Sequence, residues 1–459
     1  MGETSKRRRA ILGAAVALAP GALLPRYVRA QPFDLGPYLQ AKINWRQAEG
    51  ESIAVALTPA GYFDNLVAVA PQFEALTGVK VRFDRIPPAE IRQKAIADLV
   101  AKSGTYATSA TDPMYHALYA SKEWVDPLDT YLGDSSLTDA AWFRYDDLLR
   151  AWREGNSVGG KPYAIPFDGE VTLQVYRKDL YDAKGLKPAE TLSEYLRNAR
   201  AMHDPPRVWG AAMRGLAGAG QNMYIFPSIF RSFGGQWLAG ERIRVNSAEA
   251  IGALDWYVHA LTRYAPPNVA SWNWPDLANS FSAGTLAAYV DAHSTAAVLN
   301  DPGKSTVIGK VGYARWPKGP SGKRVTAIGN WGLPVNAALS ARAKRATWLF
   351  ISWAASEETQ ARTSWKFPGA TKRTGLNRLS LWRNPAFVDL MKANGHHFVE
   401  AALESFQRDT DVDWRPRVPQ WPAIGEAMAA AVHAALTRQK GSKQALDEAQ
   451  GRIDQIMRG

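Results

Sequence analysis

The chain has 459 residues, more than one hydrophobic core usually supports, so at least two folded bodies are expected. Its composition, 46% hydrophobic and 21% charged without a single cysteine, is globular and excludes disulfides, thiolate metal sites, cysteine nucleophiles and a lipidated N-terminal cysteine. The formal charge of +12 falls to +7 when residues 1–30, with six Lys/Arg and one acid, are set aside; the remaining excess is dispersed, which argues against nucleic acid as a partner.

Residues 1–30 have the layout of an export signal: Lys6-Arg7-Arg8-Arg9, the apolar stretch Ala10 to Ala19, and Val28-Arg29-Ala30 as a small-residue cleavage site before Gln31. The arginine cluster followed by Ile11-Leu12 resembles a twin-arginine signal, with Arg7 where that motif usually has Ser or Thr; a general secretory signal shares the layout. A periplasmic location follows from either. No later segment is apolar over a membrane-spanning length.

After a polar leader over 31–50, Ile53, Val55 and Leu57 predict a short buried strand. Leu66, Val69, Ala70, Phe73 and Leu76 then recur at helical spacing up to Gly78, and Val79, Val81 and Phe83 alternate as the next strand. Such a unit implies a parallel sheet, whose ligands bind beyond the carboxyl ends of the strands, here at the Thr58 to Tyr62 loop. A second helix follows Pro87-Pro88 and runs to Gly104. Lys161 to Tyr181 reads as a crossing between bodies: Pro166 pushes Ile165 towards an extended backbone, Val171, Leu173 and Val175 alternate, Gly169 supplies a flexible point, and Asp168 and Glu170 sit at the joint. Carboxylates there can accept hydrogen bonds from a polyhydroxylated molecule; as plain loop acids they would only be solvated.

Asn246 to Glu249 has the pattern of a capping box with Asn as cap, opening a helix with Ile251, Leu254, Val258 and Leu261 on one face. Pro275 suits the first turn of a short helix ending at Gly284, and Leu286 to Val290 reads as a buried strand that delivers Asp291. The Pro- and Gly-rich residues 317–334 predict a return to the first body. Helices follow around Ala343 to Ala355, from Ile424 to Leu436, and beyond Ser442 through Ile456.

Taken in order, several short patterns carry a family resemblance. They are Ile91-Arg92-Gln93-Lys94, Trp124-Val125-Asp126-Pro127-Leu128-Asp129, Tyr176-Arg177-Lys178-Asp179-Leu180, Arg214-Gly215 followed by Gln221-Asn222-Met223, Phe281-x-x-Gly284, Tyr289-Val290-Asp291, Gly312-Tyr313-Ala314 and Arg415-Pro416-Arg417-x-Pro419. With them the chain resembles the extracellular solute-binding proteins of ABC importers, the carbohydrate-binding group in particular, and within it the sorbitol/mannitol binders. The resemblance implies an α/β fold of the periplasmic binding protein-like type II, two α/β lobes joined by a multi-crossover hinge with the ligand cleft between them. Residues 51–168 with 325–367 would form lobe 1, and 169–324 with 368–459 lobe 2. It further implies a monomer that delivers a carbohydrate or polyol to the membrane permease subunits, with no cofactor and no chemistry on the solute. The chain departs from the pattern where Ala107 replaces a frequent Asp and where Ala110-Thr111-Asp112-Pro113 is more polar than usual, which bears on the ligand more than on the fold.

Carbohydrates are held by aromatic faces and by charged planar groups that bond paired hydroxyls. The candidates are Tyr62 and Tyr115 as a first-lobe wall, Trp274 and Trp331 as aromatic walls in loops, and Glu170 and Asp291 as acceptors. Arg214, Asn222 and Arg417 are carried by the resemblance, and a structural ion pair is the alternative for either arginine. Trp348 and Trp353 fall on a helical face and are assigned to packing. No metal is expected at His396-His397, because adjacent histidines do not share a helix face and no third ligand has matching spacing. Two alternatives stay open, a solute-binding protein for a non-carbohydrate ligand and a secreted carbohydrate-active enzyme. The enzyme needs carboxylates on both sides of a scissile bond, whereas Asp168 and Glu170 on one strand would point the same way.

Overall fold

The parallel unit expected near the start of the chain is present in the computed structural model, which describes residues 33–367 and 373–458 and, of residues 88 and 89, the backbone alone. The expected export signal and its expected cleavage site after Ala30 lie outside the described residues. Strand β1 (Ser52–Leu57), helix α1 (Gly61–Thr77), strand β2 (Lys80–Arg85), helix α2 (Pro88–Ala101) and the short strand β3 (Thr108–Ser109) build a parallel sheet in the order β2-β1-β3. Val55 and Leu57 bury against Leu66, Phe73 and Leu76, because the strand period of two and the helix period of 3.6 bring their apolar sides together. Gly78 ends α1 in the left-handed region at φ +72°, where a Cβ would be strained.

From Leu35 onward the chain is one compact unit containing two main hydrophobic cores. Strand β4 (Ile165–Arg177) passes from one to the other: Ile165 and Phe167 lie in the smaller core, Val171, Leu173 and Val175 in the larger. The larger core also takes helices α3 (Asn222–Ser232), α4 (Ala248–Tyr264) and α5 (Trp274–Ser282), with strands β5 (Ala288–Ala292) and β6 (Val311–Arg315) flanking the second half of β4 antiparallel. Strand β7 (Ile328–Leu333) returns along the first half of β4, with Ile328 in the larger core and Leu333 in the smaller. Helix α6 (Ala341–Ala355) then fills the smaller core with Trp348 and Trp353, both fully buried as expected. Helices α7 (Phe398–Arg408), α8 (Trp421–Leu436) and α9 (Ser442–Arg458) complete the larger body. A third segment, Arg373–Asn377, runs beside the crossing, where the Gly169 N–H donates to the Gly375 carbonyl at 3.1 Å.

Four local expectations change. Gly169 is not a flexible point: a Cβ there would come within 2.5 Å of the Trp152 ring, so glycine is required by close packing. The cap of α4 is Ser247, whose hydroxyl accepts from the Ala250 N–H, while Asn246 donates to Asp447 at 2.8 Å; a tertiary partner has claimed the better capping side chain. Trp331 belongs to strand β7, beside a register shift at Gly332, and not to a loop. Asp291 lies inside β5, one residue before its end. The predicted role of Pro275 holds, with Asn273 and Asp276 forming a full capping box around it.

Beneath the crossing, His293 Nδ1 accepts from the Val171 N–H at 3.2 Å and Nε2–H donates to the Thr374 carbonyl at 2.9 Å, so one neutral tautomer ties β4 to the third segment. Burial pushes this imidazole, and that of His116, down to about 4. A depressed histidine contributes stability that is present above its unfolded value and is lost as pH falls through the folded one, here between about pH 6.5 and pH 4, at up to about 3 kcal/mol each. Urea unfolding across that window should therefore show a steep loss. His293→Gln, which can form both hydrogen bonds without titrating, should lose less over the same interval.

Candidate ligand-binding site

Tyr62 enters the site as the second residue of α1, at the carboxyl end of β1 where a parallel sheet offers its ligand crevice. It packs on Phe63 at 4.8 Å between ring centroids, and burial together with the carboxylates of Asp168 and Glu170 holds its phenol well above the usual value. Asp168, on β4, is spent within the protein: Arg373 Nε donates to it at 2.6 Å, and the same guanidinium donates to Thr363 Oγ1 at 2.8 Å and to the Phe167 carbonyl. Burial still raises the Asp168 carboxyl to about 7, with Arg373 opposing the rise.

Glu170 follows two residues later, so strand periodicity places it on the same face. It is partly exposed, accepts from the Ser294 hydroxyl, and among the described residues has no cation at ion-pair distance. Burial raises its carboxyl above the ordinary range, while Ser294 and the more distant Arg214 favour the charged form. Beside it Asp291 is fully buried and receives Arg214 Nε and Nη2 at 2.7 and 2.5 Å, a bidentate pair. Arg214 Nη1 donates to the Gly220 carbonyl at 3.2 Å, and its guanidinium lies 4.2 Å over Tyr224.

Further groups of the cluster come from α2, residues 112–115 and β7, the strand paired with β4. Arg92 lies 5.7 Å over the Trp331 ring and 3.8 Å from the Asp112 carboxylate. Tyr115 is partly buried against Tyr119, and burial raises its phenol with Arg92 opposing. Arg415 closes the cluster from the loop before α8. Its guanidinium stacks 4.1 Å over Trp414, and Nε and Nη2 donate to the Met223 carbonyl at 3.1 and 2.8 Å. No carboxylate among the described residues forms an ion pair with it, and burial lowers it to about 10. A small hollow of about 40 Å³ is lined by Asp112, Met114, Gly155, Ile328, Trp414 and Arg415. It adjoins the charged cluster through Asp112 and Arg415 but does not reach Glu170 or Asp291.

Tyr62, Glu170, Arg214, Asp291 and Trp331 are thus gathered around the crossing, and Tyr115 reaches them through Arg92. Arg417 lines the hollow at its exposed side, where it pairs with Asp413 at 2.9 Å and donates to the Glu154 and Ser157 carbonyls at 3.3 Å. Asn222 is fully buried at the start of α3 and donates to the Ala429 carbonyl at 2.9 Å, joining α3 to α8. Trp274 is the first residue of α5, 43% exposed and not in a loop. Arg92, Asp112, Tyr224, Ser294, Arg373 and Arg415 were not among the residues read from sequence as site candidates. Arg92 and Arg415 stood inside the quoted patterns, while Ser294 and Arg373 reach the site only through tertiary contacts.

The family model for the bacterial extracellular solute-binding protein matches residues 59–361. The chain belongs to this family. The solute-binding protein is 29% identical over 381 residues to the mannitol-binding protein of Pseudomonas aeruginosa, covering 78% of this chain and 82% of that relative. Among solved structures it is similar to an ABC transporter solute-binding protein of Agrobacterium radiobacter K84 in complex with ribitol, with 25% identity, a TM-score of 0.78 and coverage of 89% of this chain and 99% of that one. A second, from Agrobacterium vitis S4 with bound D-mannitol, gives 26% identity, a TM-score of 0.76 and the same coverage. The type II fold expected from the sequence is the fold of this solute-binding protein.

Arg214 and Asp291 are both buried, so removing one leaves the other as an unpaired charge. Asp291→Ala is expected to destabilise the protein by about 3–5 kcal/mol in urea unfolding, and the apolar double replacement Arg214→Met with Asp291→Leu should recover most of that loss.

Proposed function

We propose that this solute-binding protein captures a carbohydrate or polyol and presents it to the membrane subunits of an ABC importer, without chemistry on the solute. The observation that carries the reading is Glu170, a partly open carboxylate on the crossing strand that is held by the Ser294 hydroxyl and, among the described residues, by no ion pair. In the same cluster the Arg415 guanidinium has no carboxylate at ion-pair distance among the described residues. One acceptor and one donor with capacity to spare suit a neutral molecule of many hydroxyls. In this reading Glu170 accepts from the ligand, Arg214 and Asp291 hold their part of the wall, Tyr62, Tyr115 and Trp331 bound the cleft, and Arg417 lies at its edge. The mannitol and ribitol named for the relatives support the same class.

The proposal includes export to the periplasm, supported by the basic, apolar and small-residue pattern of residues 1–30 with its twin-arginine-like start, and action as a monomer. The family match favours binding over catalysis. The two acids of the crossing support the same reading, since Asp168 is taken by Arg373 and shares a strand with Glu170, so these two do not face each other across a bond.

Titration calorimetry of the mature chain against polyols, monosaccharides and small oligosaccharides is the direct test. Binding of a polyamine or phosphate ester with none of these would sink the proposal. Glu170→Ala should weaken binding of the active solute about 5- to 150-fold, the equivalent of about 1–3 kcal/mol, with unchanged unfolding of the ligand-free protein.

A further inference from the structure

Building on the reading of this site as a carbohydrate or polyol cleft, we infer that Ser294 is a positioning residue for solute binding. Its hydroxyl holds Glu170 ionised and aimed, so that capture fails when that carboxylate takes up a proton. The observation is a double clamp between two neighbouring residues of β4 and two of the turn that follows β5. Ser294 Oγ donates to Glu170 Oε2, and one residue along each segment the Val171 N–H donates to His293 Nδ1 at 3.2 Å.

The turn is anchored on both flanks of Ser294. His293 Nε2–H donates to the Thr374 carbonyl at 2.9 Å, which fastens the turn to the third segment of the crossing. Thr295 Oγ1 donates to the Ala292 carbonyl at 2.9 Å and meets the Tyr289 hydroxyl at 2.8 Å, which ties it back to β5. His293 and Thr295 are buried, whereas Ser294 between them is partly exposed, like Glu170. A serine fixed in this way reaches the carboxylate with little further ordering. A Cβ on Gly329 of β7 would stand 3.0 Å from both Cγ and Oε1 of Glu170, so the acid's side chain fills the space that this glycine leaves.

Each charged or titratable group around Glu170 bears on its proton. Asp168 of β4 and Asp291 of β5 oppose a further negative charge, although Arg373 and Arg214 are bonded to them. Tyr62 of α1 and Tyr224 of α3 are phenols held well above their usual value, and Arg415 acts on Tyr224. Burial pushes the His293 imidazole down to about 4, so it stays neutral beside the acid. Arg214 favours the ionised carboxylate from beyond ion-pair distance, as does the Tyr224 hydroxyl, but the hydrogen bond from Ser294 is the foremost influence that opposes burial. An ionised Glu170 is acceptor-only and suits a solute hydroxyl. Protonation turns one of its oxygens into a donor and removes that match.

Calorimetry of the mature protein with D-mannitol, or with D-glucose or maltose if D-mannitol does not bind, over about pH 5 to 8 reads the effect, with circular dichroism checking the fold at each point. Affinity should fall towards the acid end, by at most about tenfold per pH unit for one proton. Ser294→Ala should weaken binding at neutral pH and move the acid limb up by about one pH unit, the size of one hydrogen bond. Ser294→Thr, which keeps the hydroxyl, should bring the limb back. Glu170→Gln should bind weakly and evenly across the range. Carboxyl-carbon NMR of the ligand-free protein, with the Glu170 signal identified by its loss in Glu170→Gln, should show the same upward displacement in Ser294→Ala without any solute. Three results overturn the inference and leave the carbohydrate or polyol reading standing: an affinity flat across the range, a Glu170 midpoint unmoved in Ser294→Ala, or an acid limb that persists in Glu170→Gln and so belongs to Asp168 or His293. Should no polyol or sugar bind, the underlying reading falls and the inference with it.

Discussion

The buried pair of Asp168 and Arg373 is the contact around which the crossing is organised. Both side chains are almost wholly removed from water, a state that charged groups tolerate only with a partner and further hydrogen bonds. Arg373 has both, since it also reaches Thr363 and the Phe167 carbonyl, and it thereby fixes the third segment against β4. Gly375 follows from the same arrangement, because a Cβ there would run into the Asp168 carboxylate. With β4 held in this register, the period of two puts Glu170 on the face shared with Asp168, and the β7 partner opposite it is a glycine that leaves room for its side chain.

The charges of the site divide by what they bind. Arg214 and Arg373 are matched to Asp291 and Asp168, so their role is to keep neighbouring groups in place. Arg92 and Asp112 are separated by 3.8 Å, a looser contact, and Glu170 and Arg415 have no ionic partner among the described residues. Matched buried pairs around Glu170 and Arg415 are a physical basis for selecting a neutral solute: the pairs hold the neighbouring groups in place, and these two set what the solute must offer.

Much of this was legible in the sequence because it rests on local rules. The β1-α1-β2 unit follows from two periodicities, the start of α5 from Pro275, and the crossing from Pro166 and the alternation of Val171, Leu173 and Val175. Glu170 was named as a candidate because it stood beside that crossing. What escaped was set by long-range partners. Nothing near Asn246 in sequence announces that Asp447 will take its side chain, and nothing near Asp168 announces Arg373. Trp274 and Asn222 show the same limit, since residue type and family order named both while only packing places one on the surface and the other between two helices.

Gly169 carries a mechanical consequence. Wedged under the Trp152 indole and bonded through its N–H to Gly375, it cannot act as a pivot pin, although its place between two bodies invites that role. The strand through it is unbroken for thirteen residues and laddered on its first half by β7. In such a connection any bending is shared among many peptide units instead of being placed at one, and at the register shift between Trp331 and Gly332 the return strand hands its pairing over to Thr111, which exchanges both backbone hydrogen bonds with Gly332 at 2.8 and 2.9 Å.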